Sequence, residues 1–224
     1  MLPIYETFYA WQGEGVHMGR AAYFIRTFGC PVKCPWCDSA GTWHPDWVPD
    51  AIERISETDL ADKVLATKAE FAVITGGEPA IHDLTAMTAE LAFRNMPSHI
   101  ETSGGFPIRG NFTWVTLSPK WAKPPLAENL ARANEIKIIV ESADSIERWW
   151  RSISEFIDHQ VVWLHPEWSK RNDQSVLGAI NEAVKGKGRP FRVGYQMHRL
   201  YNVDALDPGS RPNVPLGGNT LLGH

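Results

Sequence analysis

Phe71 to Pro79 reads F-A-V-I-T-G-G-E-P. An uncharged apolar run of this length, closed by two glycines and a proline, suits a strand buried on both faces, as strands of a parallel sheet are. Gly76 and Gly77 fall where such a strand ends and let backbone approach a ligand. Parallel sheets gather their ligands at that carboxyl end.

Outward from this stretch the unit repeats. Ala21 to Phe28 is a strand, and Thr58 begins a helix with Leu60, Val64 and Leu65 on one face. Asp83 to Asn95 reads as a helix, His99 to Ser103 as a strand entering Gly104-Gly105, and Trp114 to Leu117 as a strand entering Ser118-Pro119-Lys120. Glu135 to Val140 is a strand, Ser145 to Ile157 a helix, Val161 to Leu164 a strand entering His165-Pro166-Glu167, Asp173 to Lys185 a helix, and Phe191 to Gln196 the last strand. Such alternation predicts an α/β fold: a partial, open β/α barrel on a mainly parallel sheet of six to seven strands, with polar strand ends on one rim. Residues 1–224 are expected to form a single domain, with 204–224 a Pro/Gly-rich C-terminal tail. Tyr5 to Gly15 reads as an entry loop, and Trp43 to Asp50, with two prolines, as irregular chain.

The loop after the first predicted strand holds Cys30, Cys34 and Cys37, the only cysteines in the chain. An odd count in an ordinary-sized chain fits no disulfide framework, and an iron–sulfur electron carrier would bring a fourth cysteine. Three thiolates so close can hold three irons of a 4Fe-4S cluster and leave the fourth open to chelate a small molecule. A zinc site would need a fourth ligand, for which His44 is the nearby candidate, giving a non-catalytic Cys3His zinc protein as an alternative.

A net charge of −4, with no cluster of Lys or Arg, gives no electrostatic footprint for nucleic acid or an anionic membrane. No apolar run approaches the roughly 18–20 residues of a membrane span, and Met1 to Ala10 does not look like a signal peptide. The expectation is a cytoplasmic protein, which also suits an oxygen-labile cluster. Two polar features stand near the cysteines. Trp11-Gln12-Gly13-Glu14-Gly15 offers tight turns together with an amide and a carboxylate able to bond a polar ring. Arg26 lies inside an apolar strand, where its charge must reach solvent or a buried carboxylate.

The spacing Cys-x-x-x-Cys-x-x-Cys, followed in order by Thr75-Gly-Gly-Glu-Pro79 and Glu101-Thr-Ser-Gly104, resembles the radical S-adenosylmethionine superfamily over most of the chain. The W-Q-G-E-G loop, Phe24-x-Arg26, Cys37-Asp38-Ser39, Ser118-Pro119-Lys120 and His165-Pro166-Glu167 are similar within it to the 7-carboxy-7-deazaguanine synthases. That resemblance implies radical ring contraction of 6-carboxy-5,6,7,8-tetrahydropterin to 7-carboxy-7-deazaguanine, with release of ammonia, in queuosine biosynthesis. It implies substrate contacts from Trp11, Gln12, Gly13, Glu14, Arg26 and Thr75. S-adenosylmethionine would meet Trp36, Cys37, Asp38, Gly77, Glu78 and Glu101, together with Ser118, Pro119 and Lys120. Cys30, Cys34 and Cys37 would hold the 4Fe-4S cluster and Ser39 a magnesium ion, Ser39 standing where many relatives carry Thr. A flavodoxin- or ferredoxin-type reductant and a homodimer are implied as well, and no general acid or base is assigned. A glycyl-radical enzyme activase shares the size and the cluster motif, but would leave the W-Q-G-E-G loop and Arg26 without a role.

Overall fold

The computed structural model describes residues 1–211, so the tail expected over 204–224 lies mostly outside the described residues. The described strands form one nine-stranded sheet ordered β3-β1-β2-β4-β5-β6-β7-β8-β9. They are β1 Leu2–Trp11, β2 Ala21–Thr27, β3 Glu53–Ile55, β4 Phe71–Gly76, β5 Ser98–Thr102, β6 Trp114–Leu117, β7 Glu135–Val140, β8 Val161–Pro166 and β9 Phe191–Val193. From β2 onward, leaving β3 aside, neighbouring strands pair in parallel. These seven parallel strands are the ones read from the sequence, and the arrangement is an open, partial barrel.

Two strands went unread. Tyr5 to Trp11, expected as a loop, belongs to β1, which runs antiparallel to β2, while the short β3 pairs with β1's other edge. The glycines of the entry loop begin only at Gly13, and before them the aromatic and β-branched residues pack as a strand. Leu2 and Ile4 join the main core, whereas Phe8 stacks on Phe24 at 5.0 Å in a smaller one. The cysteine loop therefore follows the second strand of the chain, the first of the parallel set. Register slips between Ile4 and Glu6, so Tyr5 bulges and Glu6 lands opposite Arg26.

Each parallel strand splits its residues by parity. Ala72 and Ile74 face the main core beneath the helices, while Phe71 and Val73 face the other cluster. Both faces are buried, which is why the run is continuously apolar. The helices α1 Glu57–Leu65, α2 Thr85–Phe93, α3 Ala127–Arg132, α4 Ser145–Ile153, α5 Gln174–Lys185 and α6 Met197–Tyr201 complete the fold. Leu60 and Val64 of α1 are buried, but Leu65, expected beside them, is 43% exposed because it sits one residue further round the helix. Where the tail is described it turns back on β1: Asp207 accepts the Tyr9 N–H at 3.2 Å, and Arg211 donates to the Tyr5 carbonyl at 2.8 Å.

Candidate active site

Two joined clefts open at the carboxyl ends of the parallel strands. They share Glu14, Asp38, Thr75, Gly76, Glu101 and Lys137. The larger carries the three cysteines, Trp36, Gly77, Glu78, Ser118 and Lys120; the smaller carries Trp11, Gln12, Gly13, Arg26 and Ser39. Of the residues picked from sequence, only Pro119 is missing from these walls; it is buried behind them.

The cysteine loop is pinned to the end of β4. Gly77 donates its N–H to the Thr27 carbonyl at 3.0 Å, and Glu78 donates to the Gly29 carbonyl at 2.9 Å. The Glu78 carboxylate, 1% exposed, is filled by protein donors: the Ala80 N–H at 3.0 Å, the Ser103 N–H at 2.8 Å, and the hydroxyls of Thr102 and Ser103. It ties the ends of β4 and β5 together and forms cleft wall, with its oxygens turned to protein. Lys120 Nζ donates to the Ser118 carbonyl and hydroxyl, both at 2.7 Å, and lies 5.1 Å from the centre of the Trp36 ring.

Deeper in the cleft stands a group the sequence reading passed over. Lys137, the one charge facing inward at the middle of the apolar β7, pairs with Glu14 and sits 3.4 Å from Glu101 Oε2. Gln12 Nε2 donates to Glu101 Oε1 at 2.8 Å. Burial alone would push the Glu14 carboxyl up, but the Lys137 ammonium, with His165 and His198 nearby, holds it well below the usual range. Burial likewise works against the Lys137 ammonium, and Glu101 and Glu14 outweigh it, so Lys137 stays charged. The signal was the one used for Arg26, a charge within an apolar strand. Arg26 is itself buried, paired with Glu6 at 2.8 Å and stacked 5.0 Å over Phe8. His198 and Arg199 of α6 also reach the walls; a helix of five residues with no buried face carries no sequence signature.

Below the cleft, Glu135 fixes the loop that bears Gln12 and Glu14. It accepts the Val16 N–H at 2.9 Å, the Trp163 and Trp114 indole N–H groups at 2.8 and 3.2 Å, and the Thr116 hydroxyl at 2.8 Å. Glu135→Gln puts an amide nitrogen where only donors converge. A donor left unsatisfied costs ~1–3 kcal/mol, so with two donors orphaned, at ~2–4 °C per kcal/mol for a chain of this length, a fall in Tm of ~4–24 °C is expected by calorimetry. An unchanged Tm would contradict the clamp.

The three cysteines are free and half-buried. Burial pushes the Cys34 thiol up to about 11 and that of Cys37 to about 12. Three sulfurs lining one cleft, with two N–H groups aimed at Cys37, suit a cluster whose irons each take one cysteine. The zinc alternative lacks its fourth ligand: His44 lies outside both clefts, stacked on Trp47 at 4.7 Å, with Nδ1 turned to the Asp46 N–H at 3.3 Å. Among the described residues no three His, Cys, Asp or Glu side chains gather around a single ion. Ser39, 7% exposed, turns its hydroxyl to Asp38 Oδ1 at 3.3 Å, beside Arg26 and Thr75 in the smaller cleft. A magnesium ion needs few protein ligands when substrate and water complete its shell.

An open, mainly parallel α/β barrel with joined clefts at the carboxyl ends of its strands has the architecture of the barrel enzymes that place their active sites at that rim. A scan against protein-family models found no match. Curated relatives do match along nearly the whole chain. A 7-carboxy-7-deazaguanine synthase of Synechocystis sp. is 40% identical over 207 residues, 90% of this chain and 93% of its own length. That of Flavobacterium psychrophilum is 36% identical over 203 residues, covering 91% and 93%, and that of Escherichia coli K12 is 35% identical, covering 90% and 98%. The crystal structure of QueE from Escherichia coli superposes with a TM-score of 0.76 at 34% identity, over 88% of this chain and 94% of that one. The chain belongs to the 7-carboxy-7-deazaguanine synthase family. Neither the zinc protein nor the glycyl-radical activase is favoured by these likenesses. Among the described residues, no helix is long and apolar enough to cross a membrane.

Proposed function

We propose that this chain converts 6-carboxy-5,6,7,8-tetrahydropterin to 7-carboxy-7-deazaguanine and ammonia, as a radical carbon–nitrogen lyase. The observation that carries the reading is the joined cleft of a chain of this family, in which three free cysteines face the Gln12–Glu101–Lys137–Glu14 network. Cys30, Cys34 and Cys37 would hold a 4Fe-4S cluster. With S-adenosylmethionine bound and one electron passed in from the reductant, that group would supply reductive cleavage of the sulfonium to methionine and a 5′-deoxyadenosyl radical able to take a hydrogen from carbon 6 of the substrate.

The chain's own residues bind and orient. A pterin edge rich in N–H donors suits the acceptors of Glu14, Glu101 and Gln12, whose positions Lys137 fixes from beneath. Arg26, with magnesium on the Ser39 hydroxyl, suits the substrate carboxylate. Holding that end orients the reacting carbon, which is catalysis by positioning. Trp36, Asp38, Gly77, Ser118 and Lys120 would cradle S-adenosylmethionine, Lys120 being steadied by its bonds to Ser118. The reading includes a flavodoxin- or ferredoxin-type reductant, a homodimer and a cytoplasmic setting, with no nucleic acid or membrane partner.

Anaerobic turnover tests it. The protein, reconstituted with iron and sulfide, is given dithionite, S-adenosylmethionine, magnesium and 6-carboxytetrahydropterin, and products are followed by mass spectrometry. The expected product is 7-carboxy-7-deazaguanine, abolished in Cys34→Ala and reduced in Ser39→Ala at limiting magnesium. If 5′-deoxyadenosine accumulates alone, the pterin assignment falls; if no iron is taken up, the cluster falls with it.

A further inference from the structure

Trp43 donates its indole N–H to Cys37 Sγ at 3.3 Å, alongside the Ser39 backbone N–H at the same distance. A thiol sulfur is a weak acceptor, whereas a half-buried indole usually finds a good one. This choice of partner makes sense once the sulfur carries the negative charge of a cluster ligand.

The indole is held in place by the turn that follows the cysteines. The Trp43 N–H bonds to the Ala40 carbonyl at 3.0 Å, and the ring meets His44 edge-on at 5.3 Å. His44 stacks in turn on Trp47, whose N–H returns to the His44 carbonyl at 2.9 Å. Trp43, His44 and Trp47 thus form a buttress behind Cys37, which gives the aromatic residues of this segment a role that neither substrate nor S-adenosylmethionine supplies. Among the described residues, Trp43 is the side chain that donates to a cysteine sulfur.

We infer that Trp43 tunes the reduction potential of the cluster through this N–H···S bond; the inference rests on the cluster reading given under Proposed function. Hydrogen bonds to the sulfurs are among the factors that set such potentials. An electron from the reductant adds negative charge to the cluster and its thiolates, so the bond strengthens on reduction. Trp43 therefore makes the cluster easier to reduce, and removing its N–H makes it harder. Trp43 is a positioning residue that acts through Cys37, not a group that touches substrate.

The test uses the reconstituted holoprotein without S-adenosylmethionine, poised at a series of potentials with dithionite and mediators while the reduced cluster is counted by electron paramagnetic resonance. Trp43→Phe keeps a ring and loses the donor. A second variant places 3-benzothienylalanine at position 43, exchanging the indole N–H for sulfur with almost no change of shape. With iron and sulfide contents equal to the parent's, the reduced-to-oxidised ratio at fixed potential is expected to fall about tenfold, a shift of ~59 mV to more negative values for one electron. Should Trp43→Phe fail to hold its cluster, the benzothienyl variant decides. Equal potentials in parent and variant would overturn the inference while leaving the cluster standing. A parent that takes up no iron would overturn the cluster reading, and the inference with it.

Discussion

Lys137→Met is expected to lower the unfolding free energy near neutral pH by about 3–5 kcal/mol, the usual result of stripping one partner from a buried ion pair. The size follows from what stays behind. Glu14 is 7% exposed and would keep its burial while losing the ammonium that offsets it. The pH dependence carries the sharper signature. In the parent, Glu14 is depressed below its ordinary value of 4.5, so its contribution is present above that value and is lost as pH falls well below it. Lys137 is raised, so its contribution is present below its ordinary value of 10.5 and is lost as pH climbs well beyond it. Between those limits the pair gives a flat, stable plateau. In Lys137→Met, burial is unopposed and the Glu14 carboxyl rises, so stability should increase as pH is lowered from 7 to 5. Urea unfolding at pH 5, 6 and 7 reads this directly, and parallel curves for parent and variant would sink it. Adding Glu14→Gln should recover most of the stability, because a buried charge would no longer be left alone. Turnover should stay low in the double variant, since the proposed pterin contacts are gone.

The parallel strands were legible because burial on both faces leaves mostly apolar runs, Phe71–Ile74 the clearest of them, that end near Gly, Pro or a polar residue. β1 was not, since Gly13 and Gly15 drew the reading toward a loop although the aromatic residues before them pair with β2. Arg26 advertised its buried partner but could not name it. Glu6 comes opposite only through the bulge at Tyr5, and a bulge is a matter of register, which sequence spacing does not set. Lys137 was legible by the same rule and was passed over, hidden in E-I-K-I-I-V by its fit to a strand. Glu78 lines the cleft with its carboxylate turned away from it. A carboxylate beside a glycine pair reads as a ligand contact, yet its oxygens are filled by Thr102, Ser103 and Ala80, contacts that exist only once β5 lies alongside β4. His198 and Arg199 come from a short helix that reaches the cleft through tertiary packing: the Met197 N–H bonds to the Gly13 carbonyl at 3.1 Å.

Gly77→Ala should cost the protein stability and the proposed cluster its hold, while the same exchange at Gly178 should stabilise the fold and leave iron uptake unchanged. A Cβ built on Gly77 lies 2.7 Å from the Gly29 carbonyl carbon and closer still to its oxygen, with the Thr42 hydroxyl at 3.2 Å. The obstacle is backbone, so no side chain can rotate away. Gly29, at a φ of +100° that glycine adopts readily and other residues do not, immediately precedes Cys30. Relief must therefore break the 2.9 Å bond from the Glu78 N–H to the Gly29 carbonyl and shift the cysteine loop off the end of β4. Overpacking of this kind typically costs ~1–3 kcal/mol, and a displaced Cys30 should lower the iron and sulfide retained after reconstitution by more than half. Gly178 lies in α5 with nothing within 4 Å of its added Cβ, so alanine there should stabilise by ~0.5–1 kcal/mol through helix propensity alone. Thermal unfolding and iron analysis on the two variants side by side separate a loss of glycine flexibility from a loss of space. If Gly77→Ala keeps the parent's Tm and iron content, the close approach of the two loops does not hold the cysteines in place.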